Sequence, residues 1–147
     1  MTGRVRALGI DHVALEVGDI DAALEWWSRF FEFELRGRRR TMAWIDLGDQ
    51  FVALSAPRTQ RADEDRHLGL VVDDKERLRA ALQRAGAPVA ASGSLRVADP
   101  WGNLIEVVDY RDVQFTKAPA VLRGMGLDGL GKSQAALGEL QVKGLAE

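Results

Sequence analysis

The feature that most constrains this chain is an internal repeat. The pattern from residue 8 to residue 31 returns 55 positions later, carrying His12 onto His67, Asp19 onto Asp74, Ala23 onto Leu78 and Trp27 onto Leu82. Self-similarity of this length marks a duplicated supersecondary unit. In the first copy, the aliphatic run Leu8–Val17 predicts a strand, and Asp19 is placed to cap a helix. Ile20, Ala23, Leu24, Trp27 and Phe31 then recur at helical spacing and mark one buried face. In the second copy, Arg66–Val72 predicts a strand and Asp74 caps a helix. That helix buries Leu78, Ala81, Leu82 and Ala85, stops at Gly86, and cannot restart through Pro88.

Short strands are expected after each helix. In the first half they fall at about Glu34–Arg39, Met42–Leu47 and Phe51–Ala56. In the second they fall at about Val89–Ala91, Leu95–Ala98 and Asn103–Tyr110. Gly48 and Asp49, and again Trp101, Gly102 and Asn103, read as hairpin turns. The polar stretch from Pro57 to Asp65 joins the halves. The expectation is one α+β domain over residues 1–147, with module one at about 8–56, module two at about 66–110 and a tail at 111–147.

Composition narrows the chemistry. The chain has no cysteine, which excludes disulfides, thiolate metal sites and cysteine nucleophiles. It has two histidines, and both fall at one repeat position. A net charge of -2 gives no global basic field for nucleic acid. No apolar run approaches the ~20 residues of a membrane span. The apolar stretch near the start ends at Asp11, too early for a signal peptide, so a cytoplasmic location is expected.

The segments Ile10–Leu15, Val17–Ile20, Arg66–Asp74 and, most specifically, Asp99-Pro100-Trp101-Gly102-Asn103-Leu104-Ile105-Glu106 resemble the vicinal oxygen chelate superfamily. That group includes glyoxalase I, fosfomycin- and bleomycin-resistance proteins and extradiol dioxygenases. The resemblance covers about residues 8–110. It implies paired βαβββ modules whose strands form a cupped mixed sheet around a central cavity, here with a helical C-terminal tail. It also implies metal ligands on the first and last strands of each module, which carry over to His12, His67 and Glu106. The fourth position falls on Ala53 when counted from Asp46, or on Val52 when the turn glycines are aligned. Neither side chain can bind a metal.

Two imidazoles and one carboxylate suit a divalent first-row metal and leave coordination positions open for substrate. Fe²⁺ or Mn²⁺ is favoured, with Zn²⁺ or Ni²⁺ as alternatives. The resulting expectation is a metal-dependent enzyme acting on a small oxygen-bearing substrate, by dioxygenase-like or lyase/transferase-like chemistry. Glyoxalase-type isomerisation loses ground, because the family's usual glutamate base is replaced at Ala53 or Val52. Extradiol cleavage lacks a third histidine as acid/base, a role for which Tyr110 is the only tyrosine. Fosfomycin-type addition could use Arg96 and Arg111 to hold a phosphonate. Trp44, Arg96 and Tyr110 are the candidate substrate contacts. The alternative is a metal-free small-molecule binding or resistance protein of the same fold.

Two further features stand out. Arg36-Gly37-Arg38-Arg39-Arg40 reads as a solvated hairpin tip, or as an anion grip if Arg38 or Arg40 reaches a cavity rim. The tail carries Leu122, Leu127, Leu130, Leu137 and Leu140, too apolar for a free tail, and Ser133 is placed to cap a last helix. Trp26, the tail leucines or both are expected to bury surface against a second copy, giving a homodimer.

Overall fold

A computed structural model describes residues 3–147. The first module runs β1 (His12–Glu16), α1 (Ile20–Phe30), β2 (Glu34–Arg39), β3 (Met42–Asp46) and β4 (Phe51–Ser55). The second runs β5 (Leu68–Val72), α2 (Lys75–Arg84), β6 (Leu95–Ala98) and β7 (Leu104–Asp109). A 3-10 turn (Tyr110–Asp112), α3 (Pro119–Gly124) and α4 (Gln134–Val142) follow. The fold is α+β, with two small mixed sheets and a helical C-terminal part.

Both helices start where the sequence places them. Asp19 accepts from Ala22 N–H and Asp74 from Arg77 N–H, each satisfying a donor that the first turn leaves free. Ser133 does the same for α4 through Ala136 N–H. The apolar stripe of α1 packs Ile20, Ala23 and Trp27 into a core with Ile45 and Leu54 of the first sheet, and the same core takes in Leu82, Leu95 and Ile105 from the second module. Trp26 is half-buried against Trp27, Phe30 and Phe31 within its own chain.

The sheets have orders β1-β4-β3-β2 and β5-β7-β6. In each, the first strand lies parallel to the last, which pairs antiparallel with its hairpin partner. β1 and β5 are therefore both terminal strands, each with one edge open. The repeat departs from expectation at residues 89–91, which form no strand, so the second sheet has three strands rather than four. Pro88 brings no N–H to a ladder. The buried Arg79 guanidinium takes the carbonyls of Ala90, at 2.6 Å, and Gly93, at 2.5 Å, so the loop is held by a side chain instead of a strand. The first strand is also shorter than its aliphatic run, and residues 8–11 precede it without pairing as strand.

The Asp99–Glu106 segment stitches the modules together. Asp99 Oδ1 accepts from the N–H groups of Trp101 and Asn103, closing the turn. The buried Asn103 amide donates to Asp99 Oδ2 at 2.7 Å and to Glu16 O, at the end of β1, at 2.9 Å. Trp101 covers Gly18 so closely that a Cβ there would lie 2.3 Å from its Nε1. The linker joins this seam through Arg58, which reaches Glu16 O and Asn103, and Asp63, which accepts from Leu104 N–H.

The tail is fastened by two lysines. Lys132 Nζ donates to the carbonyls of Tyr110, Val113 and Phe115 and stands 3.6 Å from the Tyr110 ring centroid. Lys117 Nζ donates to Leu47 O and pairs with Asp49 on the β3–β4 turn. Leu122 and Leu140 are buried within the chain. No helix of the described residues is long and apolar enough to cross a membrane.

Candidate metal and substrate site

The strand register decides which first-module residue corresponds to Glu106. Gly69 of β5 pairs with Glu106, and Ala14, its repeat counterpart on β1, pairs with Ala53. Ala53 therefore occupies the Glu106 position. Val52 points to the opposite face, into the core. Residues paired across a ladder share a face. His12, Ala53 and Trp44 thus lie on one face of the first sheet, and Glu106 and Arg96 on one face of the second.

His67 and Glu106 meet. Nε2 of His67 is 3.2 Å from Glu106 Oε2, while Nδ1 lies 2.8 Å from the Asp65 carbonyl oxygen. A carbonyl only accepts, so Nδ1 carries the proton and Nε2 of the neutral ring presents a lone pair. A lone pair facing a carboxylate oxygen at this distance needs a proton or a cation between them. Two metal–ligand bonds of ~2.1 Å at right angles span ~3.0 Å, so the pair fits a divalent ion.

His12 is prepared in the same way but elsewhere in the chain. Its Nδ1 is 2.8 Å from Asp11 Oδ2, which again directs Nε2 outward as an acceptor. Its ring stacks on Phe51 with centroids 4.5 Å apart and planes 7° from parallel. The Arg36 guanidinium carbon lies 4.7 Å from the centroid of the same Phe51 ring. Among the described residues no three His, Asp or Glu side chains gather closely enough to hold a metal within one chain.

The substrate candidates divide. Arg96 Nη2 is 3.0 Å from Glu106 Oε2, beside the His67 contact. Trp44 is half-buried, with the Arg39 guanidinium carbon 5.9 Å from its ring centroid. Tyr110 is buried at the root of the tail, its hydroxyl accepting from Lys117 N–H at 3.2 Å. It lines a cleft of about 1770 Å³ that also reaches His12 and His67. The arginine cluster is largely engaged. Arg36 donates to the carbonyls of Gly48 and Gln50 and to Asp46, and Arg38 pairs with Asp21.

Sequence reasoning did not single out Asp11, Asp65 or Phe51 as site residues, and it named Arg36 only as part of the basic hairpin cluster. Asp11 had a signal in its adjacency to His12. The Asp65 carbonyl had none, since any residue supplies one.

Residues 9–107 match the family model of the Glyoxalase/Bleomycin resistance protein/Dioxygenase superfamily. The chain belongs to that superfamily. A structure described as a possible glyoxalase from Bacillus cereus is similar at 25% identity with a TM-score of 0.60, the match covering 69% of this chain and 99% of that one. Lactoylglutathione lyase from Agrobacterium tumefaciens matches at 23% identity and TM-score 0.56, covering 69% and 93%. A genomically encoded fosfomycin resistance protein from Listeria monocytogenes matches at 11% identity and TM-score 0.60, covering 71% and 94%. The last two likenesses are of fold alone. No curated protein sequence is similar enough to count as a match. The superfamily match ends before the tail.

Proposed function

We propose that this superfamily member is a cytoplasmic, metal-dependent enzyme acting on a small oxygen-bearing substrate. The metal ligands in this reading are His12, His67 and Glu106. The observation that carries it is the His67 Nε2 to Glu106 Oε2 contact, a paired donor set with Nδ1 already committed. Because His12 is equally prepared but not gathered with them, the reading takes His12 from a second copy in a homodimer. A bound divalent ion, Fe²⁺ or Mn²⁺ by preference, would supply Lewis-acid polarisation and a template for two substrate oxygens.

The chain's own residues do the rest. Asp11 and the Asp65 carbonyl hold the two rings in the tautomer that leaves Nε2 open. Arg96 sits where it can take a negative charge on the substrate, and Trp44 offers a flat apolar wall. No carboxylate stands at Ala53 to remove a carbon-bound proton, so isomerisation of a glutathione hemithioacetal is not the expected reaction.

The test is calorimetric titration of metal-free protein with each ion. Wild type should bind about one ion per chain, and His12→Ala and His67→Ala should each abolish binding. Mixing the two inactive variants should restore about a quarter of the sites, since random pairing makes half the dimers mixed, each with one intact site. Equal binding by wild type and both variants would end this reading. The metal-free binding reading has one observation behind it: Arg96 already occupies Glu106 Oε2. Metal content after purification without a histidine tag separates the two.

A further inference from the structure

We infer that Phe51, backed by Arg36, is a positioning residue that fixes the plane of the His12 ring. This deepens the proposed function and rests on His12 being a metal ligand.

His12 needs such a device more than His67 does. The His67 ring has a partner at both nitrogens, the Asp65 carbonyl at Nδ1 and Glu106 at Nε2. Among the described residues, His12 has a polar partner at Nδ1 alone, the Asp11 carboxylate, and the two side chains are 49% and 75% exposed. Ala53 offers no acceptor or charge where the second half has Glu106. One hydrogen bond decides which edge of an imidazole faces outward. It leaves the ring free to rock out of plane.

Phe51 supplies the second constraint. It pairs with His12 across the β1–β4 ladder, so both side chains rise from one face. The rings stack with centroids 4.5 Å apart and planes 7° from parallel, which fixes the plane that the hydrogen bond leaves open. In the second half the register puts Leu104 at the Phe51 position, so the aromatic seat belongs to the first half alone.

Arg36 locks the seat. It is the extra residue of a β-bulge in β2, where Leu35 pairs with Ile45 and Gly37 with Trp44. A bulge re-aims the side chain it carries. Here the guanidinium donates to the carbonyls of Gly48 and Gln50, both at 3.0 Å, and to Asp46 Oδ1 at 3.3 Å. Its carbon then stands 4.7 Å from the Phe51 centroid. The strand order brings His12 to Phe51 from β1, on one flank of β4, and Arg36 from the β3 side, on the other. A planar cation held by three acceptors is a rigid cover for an aromatic ring. One arginine of the basic hairpin thus serves the His12 seat rather than a free anion.

The test uses the full chain in two arms. The first is histidine side-chain NMR of metal-free protein in chelator, with His12→Ala assigning the signals. The ring current of Phe51 should move the carbon-bound protons of His12 upfield of free-imidazole positions. Phe51→Leu should return them, Phe51→Tyr should keep them shifted, and Arg36→Met should return them in part. The second arm is titration with Mn²⁺. Phe51→Leu should weaken binding by roughly threefold to tenfold, the worth of one aromatic pair, and Phe51→Tyr should restore it. If Phe51→Leu does not fold, Arg36→Met carries both arms, with a smaller loss, since that side chain is 36% exposed. Unshifted His12 protons in the wild type overturn the inference. So does wild-type Mn²⁺ affinity in folded Phe51→Leu, or a loss that Phe51→Tyr does not restore. An Arg36→Met spectrum identical to wild type overturns the part given to Arg36. If His12→Ala binds Mn²⁺ as wild type does, the ligand reading fails and takes the inference with it. If His12→Ala loses the ion while Phe51→Leu keeps it in full, the ligand reading stands and only the inference falls.

Discussion

Replacing Asn103 by alanine should cost about 2–4 kcal/mol of stability. Asn103 is 3% exposed and makes three side-chain hydrogen bonds, to Glu16 O of the first module, to Arg58 of the linker and to Asp99 of its own turn. Glu16 O keeps a partner after the substitution, because Arg58 Nη1 also reaches it at 2.9 Å. Asp99 Oδ2 loses the amide that donates to it, and Asp99 is itself 5% exposed. Leaving a buried acceptor without its donor costs ~1–3 kcal/mol, and each ordinary hydrogen bond lost adds ~1. The assay is urea denaturation followed by tryptophan fluorescence. With a slope of ~2 kcal/mol/M, the midpoint should fall by ~1–2 M. Asn103→Asp should be worse at neutral pH, since it sets a second carboxylate against Asp99 and turns an acceptor toward Glu16 O. It should recover partly in acid. A midpoint change below ~0.3 M for Asn103→Ala would show that the seam is not held through this amide.

Asp63 should contribute to acid stability. The Leu104 N–H and then Arg66 hold its carboxyl below the usual range. Its contribution is therefore fully present above the unfolded value near 4 and is lost as pH falls through the folded one. Urea midpoints of wild type and Asp63→Asn should differ at pH 7 and converge in acid; a constant difference would contradict this. Lys132→Met should loosen the tail, costing about 1–3 kcal/mol and speeding amide exchange over residues 111–133, because three carbonyls lose one shared donor. Ala53→Glu should raise divalent-metal affinity if the site reading holds, since Ala53 sits in the Glu106 register. Unchanged affinity in a folded variant would count against that site.

The repeat makes much of the fold legible in the sequence alone. Histidine, capping aspartate and apolar helix face recur together, and the three caps at Asp19, Asp74 and Ser133 all form. What failed was local competition for backbone groups. Nothing in the pattern of Val89–Ala91 reveals that Arg79, a residue of the preceding helix, will claim its carbonyls. The aliphatic run from Leu8 looked like strand because side-chain pattern cannot say whether a neighbouring strand is present to pair with. At the site, sequence spacing left Ala53 and Val52 equivalent, since a one-residue shift only becomes a change of face once the ladder register is fixed. His67 stands 3.2 Å from Glu106 while His12 is not gathered with them, and neither placement could be read from spacing, which carries no distances.

The matching register of the two halves makes the donor inventory depend on which halves face each other. A first half offers one imidazole, with Ala53 where a carboxylate would stand; a second half offers an imidazole and Glu106. Two first halves together would present two nitrogens, too few to retain an ion. Two second halves would present four donors and leave an octahedral ion only two free corners. A first half against a second presents three donors and leaves three corners, enough for a bidentate molecule and one more oxygen. Under the proposed ligand set, one alanine in place of an acid makes the halves of a duplicated scaffold unequal, so that only unlike halves would leave three corners of an octahedral ion free.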